Sequence, residues 1–538
     1  MKDWNDQKEP IETGQTTGSS GQGLGDAVTA DSVGRESTAR KVSAAMGWSV
    51  GSKLLRLAIG VATSIVLVRG LGKYDYGVLS IVRTILTFVA FMCGLGLGQA
   101  LLRFMPELRV RRNVEGMRGL LAFVLIVQLV VWAVFVAVLF LEAGNIEALY
   151  KAPGLAFILK VGVALILIDL LVLLLSQTLT SFYDVKLLSI YATISLFVTL
   201  ILTAIFLKMH YGVMGVLVAA AISGAILAVA LLDRSALHVP LSLKPSFSDV
   251  RRVLKFSLPF AVIGVLNLIT WRQSETLFLG FFRSPVEAGL FDLGYRIPQQ
   301  MLELVPGAVW PLLMATFSEV YSRRKESLGD AISGYYKLLF VLVAPLSIFG
   351  AAISGSAVKI LFGSEMASSG PLAQIFFLIF SVSFFSTPLS MALYVRELTW
   401  LNLVIYVCNA VVNVGLDLVL IPRYGLYGAV VPVGLIILAS PFVYYYTLKR
   451  LNFSYSIPWG FVGRCYLASL PLASFYVVAR QINSGISLVT ICLLGILVFW
   501  GSARLVCIFR DDEKILLRGL NPGLKWLVLG FFGWKGQS

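Results

Sequence analysis

The chain has 538 residues, of which 58% are hydrophobic and only 14% are charged. Soluble domains are roughly 45–50% apolar and about 25% charged, so this composition excludes the soluble class. A net charge of +15 would suggest nucleic-acid binding in a soluble protein. Here most basic residues fall in short segments between apolar blocks, where membrane proteins carry them, so we predict no nucleic-acid partner.

The apolar residues form blocks of roughly 20, the length of helix that crosses about 30 Å of hydrocarbon. A membrane β-barrel would instead show alternation over about 10 residues. We predict an all-α polytopic membrane protein with about 14 transmembrane helices, numbered as spans 1–14 in chain order. The predicted spans are 48–69, 77–101, 119–141, 155–176, 187–207, 212–233, 256–281, 287–317, 335–354, 371–394, 401–421, 425–448, 463–480 and 486–509.

The spans divide into two six-helix lobes followed by two C-terminal helices. Before Trp48 the chain is polar, with no apolar core of a signal peptide, so we predict a disordered tail. After the last span, Leu524–Trp534 is too short to cross a membrane and is predicted to lie at the interface. The predicted regions are a cytoplasmic tail at 1–44, an N-terminal lobe at 45–233, a cytoplasmic linker at 234–254, a C-terminal lobe at 255–448, helices 13–14 at 449–509 and a cytoplasmic or interfacial tail at 510–538.

The distribution of basic residues predicts the orientation. With the N-terminus inside, cytoplasmic segments carry 30 of the 44 Lys and Arg residues, opposite segments carry 9, and 5 fall within spans. Cytoplasmic loops are the basic ones, so both termini are predicted to be cytoplasmic in a cell inner membrane.

Two pairs of motifs recur along the chain at nearly the same offset. Segments 76–107 and 288–319 each carry a glycine at their second position, Gly77 and Gly289, and close with a glutamate thirty residues after it, at an offset of 212. Segments 211–215 and 424–428 each read Tyr-Gly-x-x-Gly, at an offset of 213. Six spans per half give both halves the same orientation, which predicts a parallel repeat about the membrane normal with substrate between the lobes.

Five basic residues lie within spans, where a charge costs about 2.5–3.5 kcal/mol by insertion scales and usually faces a polar cavity. Cationic groups on the inner walls of both lobes suit a pyrophosphate head group, because arginine presents a fork of donors to phosphate oxygens. The predicted cationic substrate-binding residues are Lys53 and Arg56 in span 1, Arg83 in span 2, Arg272 in span 7 and Arg296 in span 8. The alternatives are that Lys53 snorkels to the cytoplasmic face and that Arg272 and Glu275 neutralise each other.

Acidic residues deep in spans are candidates for ion coupling. Carboxylates there can carry protons or bind Na⁺ for gradient-driven exchange, and otherwise they pair with basic neighbours. The candidates are Asp169 in span 4, Glu275 in span 7, Glu303 in span 8 and Asp417 in span 11. No cofactor or resident metal is expected, because the two histidines and five cysteines lack ligand spacing. Pro298, Pro306 and Pro311 predict that span 8 is the most bent helix, either as a fixed shape or as a hinge.

Three parts of the sequence carry a family resemblance. Segment 68–77 contains R-x-L-G-x-x-x-Y-G after span 1, and Gly94-Leu95-Gly96 with 103–107 closes span 2. Asn409, Asn413 and segment 422–428 follow N-x-x-x-N and P-x-x-G-x-x-G-A around spans 11 and 12. These motifs resemble Wzx-type polysaccharide-biosynthesis flippases of the multidrug/oligosaccharidyl-lipid/polysaccharide exporter superfamily.

The resemblance implies a V-shaped cavity between two lobes that opens alternately to either face. The implied cargo is an undecaprenyl-pyrophosphate-linked oligosaccharide, a repeat unit of a polysaccharide, lipopolysaccharide O-antigen or exopolysaccharide, moved to the outer leaflet. Membrane lipids, a polysaccharide polymerase and glycosyltransferases are the expected partners.

Two other functions stay open at this point. A multidrug exporter of the same superfamily would move cationic drugs and prefer acidic and aromatic walls, whereas five basic against four acidic intramembrane residues favour an anionic cargo. A non-transporting scaffold in a polysaccharide assembly complex is the third hypothesis. The sequence contains no Walker A motif and no large extracytoplasmic loop with catalytic groups, so we do not expect an enzyme.

Overall fold

The computed structural model describes residues 23–182, 184–238, 250–271, 274–324 and 327–509. The first half comprises α1 (Gly23–Gly94), α2 (Leu97–Val110), α3 (Val114–Tyr150), α4 (Leu155–Ser181), α5 (Val185–Lys208) and α6 (Gly212–His238). The second half comprises α7 (Val250–Trp271), α8 (Ser274–Phe282), α9 (Pro285–Arg323), α10 (Leu328–Phe362), α11 (Ser369–Val395), α12 (Thr399–Tyr424), α13 (Leu426–Arg450), α14 (Trp459–Ser469), α15 (Phe475–Ala479) and α16 (Gly485–Leu505).

The predicted all-α membrane fold is confirmed. Within the described residues, twelve helices are long and apolar enough to cross a membrane. The first of these, Gly51–Val110, combines predicted spans 1 and 2. Predicted span 8 corresponds to α9, which carries Asp292, Arg296 and Glu303 and is not among the twelve. Every one of the fourteen predicted spans therefore coincides with helix in the described part of the chain.

Helix α1 changes direction at Gly72, whose φ of 73° and ψ of 176° lie outside the helical region. Glycine adopts this conformation at no steric cost, so one residue separates the arm that forms span 1 from the arm that forms span 2. The helix begins at Gly23 and so overlaps the predicted disordered tail at 1–44, while residues 1–22 lie outside the described part.

Several predicted boundaries differ from the structure because backbone breaks are not visible in hydropathy. Span 2 is interrupted at Leu95 and Gly96, both with positive φ, so α2 starts as a separate helix. Span 13 is split into α14, a 3-10 turn at Leu470–Ser474 and α15. The predicted linker at 234–254 is helical at both ends, and its residues 239–249 lie outside the described part, as do the interfacial stretch 524–534 and the whole tail 510–538.

Within each half of the described chain, neighbouring helices pack on one another. Helix α4 packs on α3 and α6 in the first half, while α11 packs on α9, α10 and α13 in the second. An aromatic cluster that includes Phe291, Tyr295 and Phe376 fills the centre of the C-terminal lobe. Helices α14, α15 and α16 pack on α10 and contribute Phe461, Phe475 and Phe499 to one apolar cluster.

The second arm of α1 and helix α9 approach each other at two glycines. A Cβ on Gly77 would lie 1.9 Å from the carbonyl oxygen of Pro285, and a Cβ on Gly289 would lie 2.8 Å from the Cα of Gly77. These glycines are separated by the predicted repeat offset of 212 residues. Contact between equivalent positions is expected where a two-fold axis passes between the repeats, because a residue near the axis meets its own counterpart.

We predict that Gly77→Ala weakens this helix contact, because the added methyl group overlaps the Pro285 carbonyl. The free energy of unfolding in detergent should fall by about 1–3 kcal/mol, as expected for overpacking. Gly60→Ala is the matched control, since no atom lies within 4 Å of its added Cβ. Equal thermal unfolding midpoints for both variants would contradict the close packing.

Candidate substrate cavity and buried carboxylates

A cavity of about 430 Å³ lies between the second arm of α1, helix α7 and helix α9. It therefore lies between residues of the two predicted lobes. Its lining consists of Arg83, Thr84, Thr87, Phe88, Leu268, Arg296, Gln299, Gln300 and Glu303. Three of the predicted site residues, Arg83, Arg296 and Glu303, thus line one cavity.

Helical periodicity explains why these side chains converge. On α1, Tyr76, Ser80, Arg83 and Thr87 are three or four residues apart and share one face. On α9, Asp292, Arg296, Gln299 and Glu303 follow the same spacing. Two facing stripes of polar residues therefore meet across the lobes.

Asp292 connects the two stripes just beyond the cavity. Its side chain is 1% exposed, and its Oδ1 accepts a hydrogen bond of 2.7 Å from Nη2 of Arg296 on the same helix. Its Oδ2 accepts from the Tyr76 hydroxyl at 2.7 Å and from the Ser80 hydroxyl at 3.3 Å, both on α1. Ser80 and Asp292 are again 212 residues apart.

The sequence alone does not place Asp292 in the candidate site, because its position near the start of span 8 predicts an interfacial residue. Two signals were present, namely the spacing of four residues to Arg296 and the repeat offset to Ser80. The two arginines of the predicted cationic site that line the cavity differ in their ion pairing. Arg296 is paired with a carboxylate, whereas the guanidinium of Arg83 makes no ion pair within the described residues.

Lys53 and Arg56 lie on the first arm of α1 and do not line this cavity. Both are half-buried, and Arg56 Nε donates to the carbonyl of Ser52 at 3.3 Å. Arg272 lies outside the described residues. For these three residues a role in binding cargo stays a prediction.

The predicted acidic residues separate into three locations. Glu303 lines the cavity and accepts a hydrogen bond of 3.1 Å from Gln299. Asp169, on α4, is exposed and does not line the cavity. Glu275 and Asp417 lie together in the interior of the C-terminal lobe, 1% and 0% exposed.

Asn413 links the elements around this buried pair of carboxylates. Its Nδ2 donates to Glu275 Oε1 at 2.8 Å, and it also lies within hydrogen-bond distance of the Ser274 hydroxyl at 3.3 Å. Asp417 follows one turn later on α12, so it shares the face of Asn413. Among the described residues, neither carboxylate oxygen of Asp417 nor Oδ1 of Asn413 has a hydrogen-bond partner. Several buried oxygens without donors suit a small cation better than an apolar core.

The two halves meet at an inner joint, which we define as Gly96 and helix α2 against helix α7. Arg252 Nη2 lies 3.2 Å from Glu107 Oε2, and the Arg252 guanidinium stacks 4.9 Å from the Phe104 ring centroid. Phe104 makes an edge contact with Phe256 at 5.4 Å. A Cβ on Gly96 would lie 2.5 Å from the Ser257 carbonyl oxygen, so only glycine permits this approach.

The two halves of the chain also meet at an outer joint, which we define as Tyr76, Gly77 and Ser80 against Pro285, Gly289 and Asp292. The names inner and outer follow the predicted orientation. Beside this joint, Arg69 donates to the carbonyls of Leu361 at 2.7 Å and Ile360, in the last turn of α10. The R-x-L-G-x-x-x-Y-G motif thus supplies Arg69 for a helix C-terminus, Gly72 for the turn and Gly77 for the close contact.

Comparison with solved structures identifies the fold. The chain matches lipid II flippase MurJ in an inward closed conformation with a TM-score of 0.66 and 14% sequence identity, over 86% of this chain and 98% of that chain. It matches an inward-facing MATE multidrug resistance transporter with a TM-score of 0.62 and 16% identity, over 74% and 98%. The chain thus shares its overall fold with these two membrane proteins.

A family model described as polysaccharide biosynthesis protein matches residues 66–371, more than half of the chain. The chain belongs to this family, which confirms the resemblance predicted from its motifs. It is also 24% identical over 338 residues to the succinoglycan biosynthesis transport protein ExoT of Rhizobium meliloti (strain 1021). That match spans 62% of this chain and 65% of the length of the relative.

We predict that Asn413→Ala destabilises the C-terminal lobe, because Glu275 then loses its amide donor while it stays buried. An unsatisfied buried group costs about 1–3 kcal/mol, measurable as a lower free energy of unfolding. Asn409→Ala, one turn earlier on the same helix, is the control and should leave stability nearly unchanged. Equal losses in both variants would exclude a special role for the Asn413 amide.

Proposed function

We propose that this protein is a flippase that moves an undecaprenyl-pyrophosphate-linked oligosaccharide across the cytoplasmic membrane by alternating access. The observation that carries the proposal is the cavity between the lobes, in which Arg83 has no carboxylate partner among the described residues. A cation within a membrane span has a high free-energy cost, so such a residue is usually retained because a function requires it. An anionic cargo supplies the missing counter-charge.

The cavity chemistry suits both parts of such a cargo. Arg83 and Arg296 present forked donors that match phosphate oxygens in geometry and charge. Thr84, Thr87, Gln299 and Gln300 add neutral hydrogen-bonding groups, which suit sugar hydroxyls. A cavity of this size lies within the usual range for small-molecule sites, so it accommodates the head-group region while the lipid chain stays in the bilayer.

The relatives support the same class of cargo. One is named as a transport protein of succinoglycan biosynthesis, and another, which shares the fold, as a lipid II flippase. The first name supports transport in polysaccharide biosynthesis, and the second supports the flipping of a lipid.

Contacts at both ends of the cavity support alternating access. The inner joint and the outer joint both bring residues of the two halves into contact in this structure. Opening one joint while the other stays closed gives access to one side at a time.

The buried Glu275 and Asp417 pair supports coupling to a cation gradient. Two carboxylates and the free carbonyl oxygen of Asn413 offer hard oxygen donors, which suit Na⁺, and protonation of either carboxylate would equally relieve its burial. The cation, H⁺ or Na⁺, acts as a co-transported substrate and not as a resident cofactor.

A multidrug exporter of the same superfamily is the main alternative function. Its cationic substrates would be repelled by Arg83 and Arg296, although Glu303 lies on the same wall. A scaffold would need neither the uncompensated Arg83 nor the polar cavity. In the proposed setting the protein lies in the cell inner membrane with both termini cytoplasmic, next to glycosyltransferases and a polysaccharide polymerase.

Arg83→Ala should abolish flipping while the protein still inserts and folds, because the cargo loses a charge-assisted contact worth about 1.5–3 kcal/mol, or roughly 10–150-fold in affinity. The measurement is export of the lipid-linked repeat unit in cells that lack the native gene. Arg103→Ala, which removes an exposed arginine paired with Glu107, is the control and should retain export. Arg56→Ala tests the span 1 prediction separately. Wild-type export by Arg83→Ala would refute the proposed site.

Glu275→Gln and Asp417→Asn should uncouple transport from the cation gradient. In proteoliposomes the wild-type protein should accelerate flipping under an imposed Na⁺ or proton gradient, whereas both variants should run at the rate without a gradient. Asp169→Asn is the matched control, because this exposed carboxylate lies apart from the buried pair. Gradient dependence that survives in both variants but is lost in Asp169→Asn would move the coupling site to α4.

A further inference from the structure

We propose that Asp292 is an internal counter-ion which the anionic head group displaces from Arg296, and that this exchange releases the outer joint. The inference rests on the proposed function and adds a coupling residue to it. Asp292 is a positioning residue here, since it does not line the cavity.

The two oxygens of the Asp292 carboxylate serve different lobes. Oδ1 accepts from Arg296, whose guanidinium lines the cavity on α9, and Oδ2 accepts from Tyr76 and Ser80 on α1. One buried charge therefore joins the cation of the cavity to the hydrogen bonds that close the lobes.

Arg296 is reachable from the cavity while Asp292 is not. The Arg296 side chain is 26% exposed and lines the cavity beside Arg83, whereas Asp292 is 1% exposed. A pyrophosphate group bridging Arg83 and Arg296 would compete with Asp292 for the same guanidinium, and it carries more negative charge than the carboxylate.

Loss of Arg296 leaves Asp292 buried without a counter-charge, which is strongly unfavourable. Two hydroxyl donors on α1 do not neutralise a carboxylate. Water can do so, but it reaches Asp292 only when α1 and α9 move apart. Binding of the anion thus favours opening of the outer joint, and an empty cavity favours its closure.

The chain contains a matched control on the same helix. Glu287, in the first turn of α9, forms an ion pair of 3.4 Å with Arg283, which precedes the helix, at the same spacing of four residues. Both of these side chains are more exposed than Asp292, and they lie beside Gly425 at the start of α13. Glu287→Gln removes a carboxylate without touching the bond to Tyr76.

The test uses the full chain in detergent, with the native cysteines replaced and spin labels at Tyr74→Cys and Ser368→Cys. These positions flank the outer joint, where the Cβ position of Gly72 lies 3.9 Å from Glu365. Double electron–electron resonance measures the distance between the two labels. Calorimetry measures the affinity for inorganic pyrophosphate, which is the probe.

We expect pyrophosphate to lengthen the label distance in the wild-type protein. Asp292→Asn should bind pyrophosphate about tenfold more tightly, because no internal competitor remains, and pyrophosphate should no longer lengthen its label distance, because no buried charge is left without a counter-ion. Glu287→Gln should behave as wild type. The double variant Tyr76→Phe/Ser80→Ala keeps the Arg296 pair, so it should lengthen the distance with little change in affinity.

Wild-type affinity for pyrophosphate together with wild-type lengthening of the label distance by pyrophosphate in Asp292→Asn would overturn the exchange. If wild type then still binds pyrophosphate and Arg83→Ala does not, the exchange alone fails and the proposed function stands. Absence of pyrophosphate binding in wild type and in Asp292→Asn would instead overturn the anionic cargo and the exchange together. If Asp292→Asn fails to fold, an unchanged label distance in the double variant overturns the claim that these hydrogen bonds close the joint.

Discussion

The buried carboxylate of Asp292 sets the electrostatic condition on which the closed arrangement of the two lobes depends. A charge with 1% exposure persists only where cations and donors surround it. Its cation comes from its own helix and its hydroxyl donors come from the other lobe. The charge is therefore fully compensated only when both lobes are assembled, so a single ionised group links local helix chemistry to the relative position of the halves.

The two joints rely on different physics. At the outer joint, glycines bring two helix backbones into contact and the polar group is buried. At the inner joint, Glu107 and Arg252 are 19% and 50% exposed, and ion pairs between such side chains contribute little because water competes with them. The inner joint relies instead on Phe104, Phe256 and the close approach at Gly96. Its closure is therefore based mainly on packing, and the outer closure mainly on a buried charge.

Hydropathy was enough to predict the helices, because backbone groups in hydrocarbon leave no other choice. It was also enough to select Arg83, Arg296 and Glu303, whose cost in a span is large whatever their neighbours are. It did not reveal the breaks at Leu95 and Gly96 or the split of span 13, since these arise from tertiary packing. Nor did it assign Asn413 a role, because a neutral amide costs little free energy within a span and so does not stand out in the sequence. Its role is visible only from its hydrogen bond to Glu275. Lys53 and Arg56 show a second limit of hydropathy. It gives the depth of a residue within a span, but it does not determine which side of the helix the residue faces.

The contact between Ser80 and Asp292 also requires that the two halves of the chain differ. In a dimer of two identical six-helix chains, each residue on the two-fold axis would lie against its own copy. Two aspartates in that position would repel each other, and two serines would leave Arg296 without a counter-ion. A single chain whose halves differ allows serine on one side and aspartate on the other. The charge asymmetry of this joint is therefore available to the single chain and not to a symmetric homodimer.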